Sequence, residues 1–448
     1  MKRFTHLLIT LAMCAACSKE PAATVAQESS SSKQATSGGS GAGDSPGAKL
    51  ALQRTTGSSR TDRTIDLAQA AAKKNPDNAA LWIKLGHGWI RKARESADPG
   101  FYLNANACAD QVLARTPDSR LALNLKALVL LNEHRFQEAR TLARSIVERA
   151  ADDAMAQGSL SDAELELGLY DEAATSAQAM MDLKPNLPSY SRASYLSWLR
   201  GDTQGAKQAI KLAIDSGRDR HDPEPRAWVL TQAAMIFLHE GDVEGAEAGF
   251  DMTLAWLPDY PPALVGKGRV ALLRGEGARA VDLLSRAYQE SPLVETAWLL
   301  GDAKGLAGDR AGALEMFAKV KSDGKKTDPR ALSLFLSTRD EDHELALSLA
   351  EQEYAVRKDV YTEDARAWAL FRAGRTKDAL ASITRARRLG TPDARLVFHE
   401  GAIRMAAGEV EKGRALVNLA LTLKGGLDPE ARRQAQATAG QTTAGKKS

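Results

Sequence analysis

The sequence predicts an all-α fold in which helical hairpins stack side by side as an α-solenoid, and three observations carry that expectation. A small residue recurs as Ala139, Ala173, Ala206, Ala246, Ala280, Ala313, Ala346, Ala379 and Gly413, at intervals of 34, 33, 40, 34, 33, 33, 33 and 34. Four or five residues before most of these lies a glycine turn signal: Gly168, Gly201, Gly241, Gly275, Gly308, Gly374 and Gly408. Between the units a second breaker returns with Pro117, Pro185, Pro258, Pro292 and Pro392. Two short helices pack closely only where small side chains face each other, and glycine lets the chain reverse between them. A single hairpin buries one side only, so it must stack on neighbours. A second small column twelve residues before the anchors fits this geometry: Ala127, Ser161, Ser194, Ala234, Gly268, Gly301, Ala367 and Gly401, with Leu334 as its one break.

Composition agrees. The 448 residues are 44% hydrophobic and 26% charged, ordinary for a chain most of which folds. Aromatics at 5% argue against a sandwich or barrel. A formal net charge of +3 lacks the electrostatic footprint of a nucleic-acid binder.

At the amino terminus Lys2 and Arg3 precede an apolar stretch from Leu7 to Ala16, too short to span a bilayer, for which about 20 residues are needed. It reads as a signal peptide. Its end, Cys14-Ala15-Ala16-Cys17, resembles the lipobox of bacterial lipoproteins, with Cys14 where leucine is commonest. The resemblance implies lipidation at Cys17, and Ser18 behind it implies sorting to an outer membrane. The alternative is cleavage after an Ala-x-Ala-like site, leaving a soluble exported protein. Residues 18–61 are rich in Ser, Gly and Ala and read as a disordered tether. Once Cys17 carries lipid, Cys108 is the one thiol left in the mature chain, and it sits in an apolar-periodic stretch as a structural residue.

The body, residues 62–424, resembles the tetratricopeptide repeat family in its period, its small residues at positions eight and twenty of the repeat, and its proline at thirty-two. Trp82, Leu85, Gly86 and Trp89 match the family's W-x2-L-G-x2-Y face, with Trp in place of Tyr. The resemblance implies a right-handed α-solenoid of about ten hairpins, with a leading helix near Thr64–Lys74. Leu334 and the charged Lys321–Lys326 stretch disturb the eighth unit, and Glu363 and Arg366 are poor core residues in the ninth. Two insertions, Glu95–Phe101 and Asp215–Pro225, are either partner contacts or tolerated loops. Residues 425–448 read as a flexible tail.

Scattered histidines, with no H-x-E, HExxH or repeated C-x-x-C pairing, give no metal site, and no nucleophile elbow or phosphate loop appears. The reading is therefore not an enzyme and needs no cofactor. In the family the first helix of each hairpin lines a concave groove. The positions that fall there include Tyr195, Trp198, Trp228, Trp298, Phe335, Trp368, Phe371 and Phe398. Aromatics bury large area for few frozen torsions, so they are candidates for gripping a segment of a partner protein; the competing reading is that they cover seams between repeats. The expected function is a lipid-anchored scaffold binding proteins of the bacterial cell envelope, facing the periplasm, with no nucleic-acid partner. The alternative is an enzyme or regulator acting on cell-wall polymers through the aromatic groove, for which Asp302 and Asp364 are the only acids to nominate.

Overall fold

The computed structural model describes residues 46–440 apart from 97, 221 and 424, so the expected signal peptide, Cys17 and most of the tether lie outside the described residues. Among the described residues there are 23 helices and no strand. The leading helices are α1 (Pro46–Ala51) and α2 (Arg60–Lys74). Ten hairpins follow: α3 (Ala79–Glu95) with α4 (Phe101–Leu113), α5 (Arg120–Asn132) with α6 (Phe136–Arg149), α7 (Ala154–Glu166) with α8 (Tyr170–Leu183), α9 (Leu187–Leu199) with α10 (Thr203–Ser216), and α11 (Glu224–Glu240) with α12 (Val243–Trp256). The second half continues with α13 (Pro261–Leu273) and α14 (Gly277–Glu290), α15 (Val294–Leu306) and α16 (Arg310–Thr327), α17 (Pro329–Arg339) and α18 (His343–Val356), α19 (Val360–Arg372) and α20 (Thr376–Ala386), and α21 (Ala394–Ala406) and α22 (Val410–Thr422). Helix α23 (Pro429–Gly440) closes the array.

Burial separates two layers. Helix α14 buries one stripe, Gly277, Ala280, Leu283, Leu284 and Ala287, at the i, i+3, i+4, i+7 spacing of an amphipathic surface helix. Helix α15 buries Thr296 through Ala303 without a gap. The odd-numbered helices of the hairpins form the inner layer, and most neighbouring odd helices touch each other. All nine small anchors are buried. Where the paired column carries serine, its hydroxyl donates across the hairpin: Ser161 to the Ala173 carbonyl and Ser194 to the Ala206 carbonyl, each at 2.8 Å.

All seven predicted turn glycines have left-handed φ, from 74° at Gly168 to 94° at Gly408. Of the three hairpins that lack one, α5–α6 and α17–α18 place His134 (57°) and Asp340 (61°) in the same conformation, which costs a non-glycine residue about 1–2 kcal/mol. Leu334 is explained by a one-residue slip, since Ser333 fills the small position and donates to the Ala346 carbonyl at 2.7 Å. The charged Lys321–Lys326 stretch extends α16 to 18 residues instead of breaking it. Glu363 is buried but accepts from Ser382 at 2.7 Å and Arg385 at 2.6 Å.

Two boundaries differ from the sequence expectation. Residues 46–61 are not loose tether: Ala48 and Ala51 are fully buried, and the Trp89 indole N–H donates to the Ala51 carbonyl at 2.9 Å. Residues 425–440 are not a loose tail either. Helix α23 buries Ala431 and Ala435 against α22, and its Gln434 amide donates to the Thr338 carbonyl at 2.5 Å. The alanine spacing of this short helix carried the signal, but its polar composition masked it. The second insertion folds back on the array: Asp222 pairs with Arg91 of α3 at 2.8 Å, and Glu224 accepts from Tyr260 at 3.1 Å.

The array winds far enough to touch itself. The Lys358 N–H donates to the Glu166 carbonyl at 2.8 Å, the Val360 N–H to the Tyr170 hydroxyl at 2.8 Å, and the Thr391 hydroxyl to the Leu199 carbonyl at 2.7 Å. The last two span 190 and 192 residues, so the α7–α8 turn rests on the loop that leads into α19 and the α9–α10 turn on the loop that leads into α21. Gly168 shows how close the approach is, because a Cβ there would lie 2.6 Å from the Lys358 carbonyl oxygen. A buried ionic cluster sits in this seam. Arg357, 2% exposed, lies 3.2 Å from Glu166, 3.6 Å from Glu353 and 3.9 Å from Asp359, with its guanidinium 4.9 Å from the centre of the Phe136 ring. Arg330 pairs with Asp359 at 3.3 Å.

Burial pushes Glu166 up to about 7 despite the pull of Arg357 and Arg330, with Asp359 and Asp162 adding to the rise. Burial likewise raises Asp328 to about 8. A carboxyl that is more basic when folded makes the native state bind more protons, for Glu166 between its ordinary 4.5 and about 7. Stability from such a group is greatest below that window and declines as pH rises through it. The melting midpoint is therefore expected to fall from about pH 5 to about pH 8. Glu166→Gln should reduce that slope, and an identical slope in the variant would refute the assignment to Glu166.

Candidate functional site in the bore

Closure leaves a pocket of about 170 Å³ in the bore, lined from α9, α11, α13, α15, α17, α19 and the start of α21, with Ile210 of α10 and Gly425 and Gly426 completing the lining. Its aromatic wall is ordered. Trp198 lies near parallel to Tyr195 (6.0 Å, 15°) and Tyr361 (6.4 Å, 15°) and tilts against His239 at 5.2 Å. Trp298 is T-shaped on Phe335 at 5.4 Å. The indole N–H groups of Trp198 and Trp298 are buried without a hydrogen-bond partner in the protein.

The arginines of the wall are matched. Arg269 pairs with Glu295 at 2.5 Å, Arg330 with Asp359, and Arg395 with Asp364 at 3.5 Å. Asp393 caps α21 by accepting from the Arg395 and Leu396 N–H groups and lies 3.6 Å from His239. Burial lowers His239, which keeps its ring neutral at pH 7.

The eight groove candidates divide. Tyr195, Trp198, Trp228 and Trp298 line the pocket. Phe335, Trp368 and Phe398 are 0–1% exposed and pack into the cores between hairpins, while Phe371 is half-buried beside Trp368. The helical register that places all eight on inner helices is legible in the sequence. Which of them meet the bore and which meet a neighbouring helix depends on the winding, which the local period does not encode. His239, Glu295, Asp393 and Arg395 also line the pocket and were not singled out as site residues. Asp393 was visible only as part of a proline breaker.

Neither nominated acid is placed for catalysis. Asp302 pairs with Arg339, and burial together with Asp428 raises it to about 8. Asp364 is fully buried and bonded to His399 at 2.8 Å. Cys108 is buried in the core of α3, α4 and α5, and burial pushes its thiol up. Among the described residues no group of three or more His, Cys, Asp or Glu is arranged to hold a metal, and no helix is long and apolar enough to cross a membrane.

A family model described as tetratricopeptide repeat matches residues 90–154, 126–188 and 365–432. No curated protein matches this chain. Among solved structures, PilW, described as a widely conserved type IV pilus biogenesis factor, is 15% identical, with a TM-score of 0.40 over 48% of this chain and 96% of that one. The human IFIT1 dimer is 12% identical, with a TM-score of 0.45 over 84% and 94% of the two chains. Yeast Tom70 is 15% identical, with a TM-score of 0.35 over 85% and 96%. The chain carries tetratricopeptide repeats, stacked as an all-α solenoid.

Proposed function

We propose that the protein is a scaffold of the bacterial cell envelope, anchored by lipid at Cys17 and probing the periplasm with its solenoid. In this reading it binds other proteins and helps assemble or stabilise a multiprotein machine of the pilus, secretion or polysaccharide-export kind. The observation that carries the reading is a ten-hairpin stack whose inner helices bring several aromatic side chains to one site. Repeat stacks present large continuous surfaces suited to extended partners. The half-buried Trp228 and Phe371 are the aromatic candidates left with surface to offer. The lipobox-like Cys14–Cys17 segment and the Ser/Gly/Ala stretch behind it support the address. The wall-polymer enzyme gains nothing from Asp302 and Asp364, each bonded to a neighbouring side chain inside the protein.

The test is photo-crosslinking in cells from position 228, combined with Cys17→Ala. Discrete adducts with envelope proteins are expected, and Cys17→Ala should move the chain from the membrane fraction to the soluble one. Membrane retention by Cys17→Ala would remove the anchor, and absence of protein adducts would remove the scaffold.

A further inference from the structure

The charge in the wall of the bore pocket does not balance. Three arginines line it, and each has a carboxylate of its own: Arg269 with Glu295, Arg330 with Asp359 and Arg395 with Asp364. Asp393 is the fourth carboxylate, and it pairs with no arginine or lysine among the described residues. It faces His239 instead, whose Nδ1 lies 3.6 Å from Oδ2 and whose ring burial keeps neutral at pH 7.

Asp393 does not shed its charge. As the N-cap of α21 it accepts from the Arg395 N–H at 2.8 Å and the Leu396 N–H at 3.3 Å, both on Oδ1. Burial opposes ionisation, but nearby positive groups and these two bonds hold the carboxyl below the usual range. Oδ2 receives no hydrogen bond from the protein, although the side chain is only 6% exposed. An ionised oxygen so enclosed lacks a donor, and a charged donor meets that need best.

Other groups of the lining agree with a donor-bearing occupant. Ser191, Ser194 and Thr231 each donate their hydroxyl hydrogen to a backbone carbonyl, of Leu187, Ala206 and Ala227 at 2.6, 2.8 and 2.9 Å, so what their oxygens have left to offer is lone pairs. Trp228, Met235, Val265 and Leu334 add apolar surface suited to a hydrocarbon stem. A bare metal ion is a poor match, because hard cations take several oxygen ligands and no three His, Cys, Asp or Glu are grouped to hold one among the described residues. Volume sets the limit: a protein cavity of about 150 Å³ holds benzene, and this one is about 170 Å³.

We propose that the bore pocket binds one small organic ammonium group, which donates to Oδ2 of Asp393 and lays its hydrocarbon part against the apolar wall. The site goes beyond the scaffold reading and does not depend on it.

The test uses the full chain, with saturation-transfer NMR and titration calorimetry as readouts. Butylammonium is the cationic probe, butanol its neutral counterpart and butyrate the anionic one, while Nα-acetyl-lysine methylamide carries the same group on a peptide unit. Saturable binding of butylammonium is expected, with butanol and butyrate at least about tenfold weaker, the range of one hydrogen bond to a charged group. Asp393→Asn keeps a side chain that caps helices and removes the charge, and should weaken butylammonium at least about tenfold while leaving butanol unchanged. Met235→Trp fills the pocket from a half-buried lining position and should abolish binding. Tighter binding of the lysine derivative than of butylammonium makes a protein lysine the source of the group, and weaker binding makes it a free amine. The proposal is overturned by no saturable binding of either amine, by butanol or butyrate binding as well as butylammonium, or by an indifferent Asp393→Asn. If Asp393→Asn lowers the melting transition, Met235→Trp decides, and amine binding retained in it overturns the site.

Discussion

Arg357→Ala is expected to lower the unfolding free energy by about 3–5 kcal/mol, the cost of removing one partner from a buried ionic group. The guanidinium is 2% exposed and is the cation nearest to Glu166, with Glu353 and Asp359 on its other sides. Its loss leaves Glu166 and Glu353 without the cation between them in a buried site, with Arg330 still beside Asp359. The seam depends on this locus, because the Lys358 N–H to Glu166 carbonyl bond is one residue away from the arginine. The variant should therefore also swell, with a larger radius of gyration in small-angle scattering while helical content is kept. A destabilised variant with unchanged dimensions would show that the cluster supports its own hairpin and not the closure. Glu166 should then titrate still higher, steepening the loss of stability with pH.

Trp368→Ala is the second large effect, at about 3–5 kcal/mol for an aromatic removed from a core. Trp368 is 1% exposed, stacks on His399 at 4.0 Å and 9°, and touches Phe398 and Phe371 at 5.6 and 5.2 Å. Its removal exposes the buried Asp364–His399 pair to a void, while Trp368→Phe should cost a fraction of that because the indole N–H has no hydrogen-bond partner to lose. Chemical denaturation of the two variants checks the order. Trp228→Ala, half-buried at the pocket, is the contrast, and a loss there as large as at Trp368 would place it in the core instead.

These two residues mark where sequence reasoning reached and where it stopped. The hairpin is a local object: its turn glycines, its facing small residues and its proline breaks lie within 34 residues of one another, and all are visible in the chain. Even Leu334, an exception in the column, is repaired by its neighbour Ser333. The winding is different. It sums small rotations over six hairpins, and no single repeat announces the total. The Asp215–Pro225 insertion therefore read as a partner contact or a tolerated loop, although Asp222 pairs with Arg91 of α3 and Glu224 accepts from Tyr260. The inner aromatics were found by register, but their sorting between the bore and the helix interfaces follows from a pitch that periodicity leaves open.

The contacts from Tyr170 to Val360 and from Leu199 to Thr391 share nearly one offset. An open array can gain or lose a unit by duplication or deletion and still fold. Here, removing one hairpin between α9 and α19 would set each of these donors opposite the wrong acceptor. The number of units in that stretch is thus fixed by the molecule's own circumference, and length variation should be confined to the units ahead of α7 and behind α22.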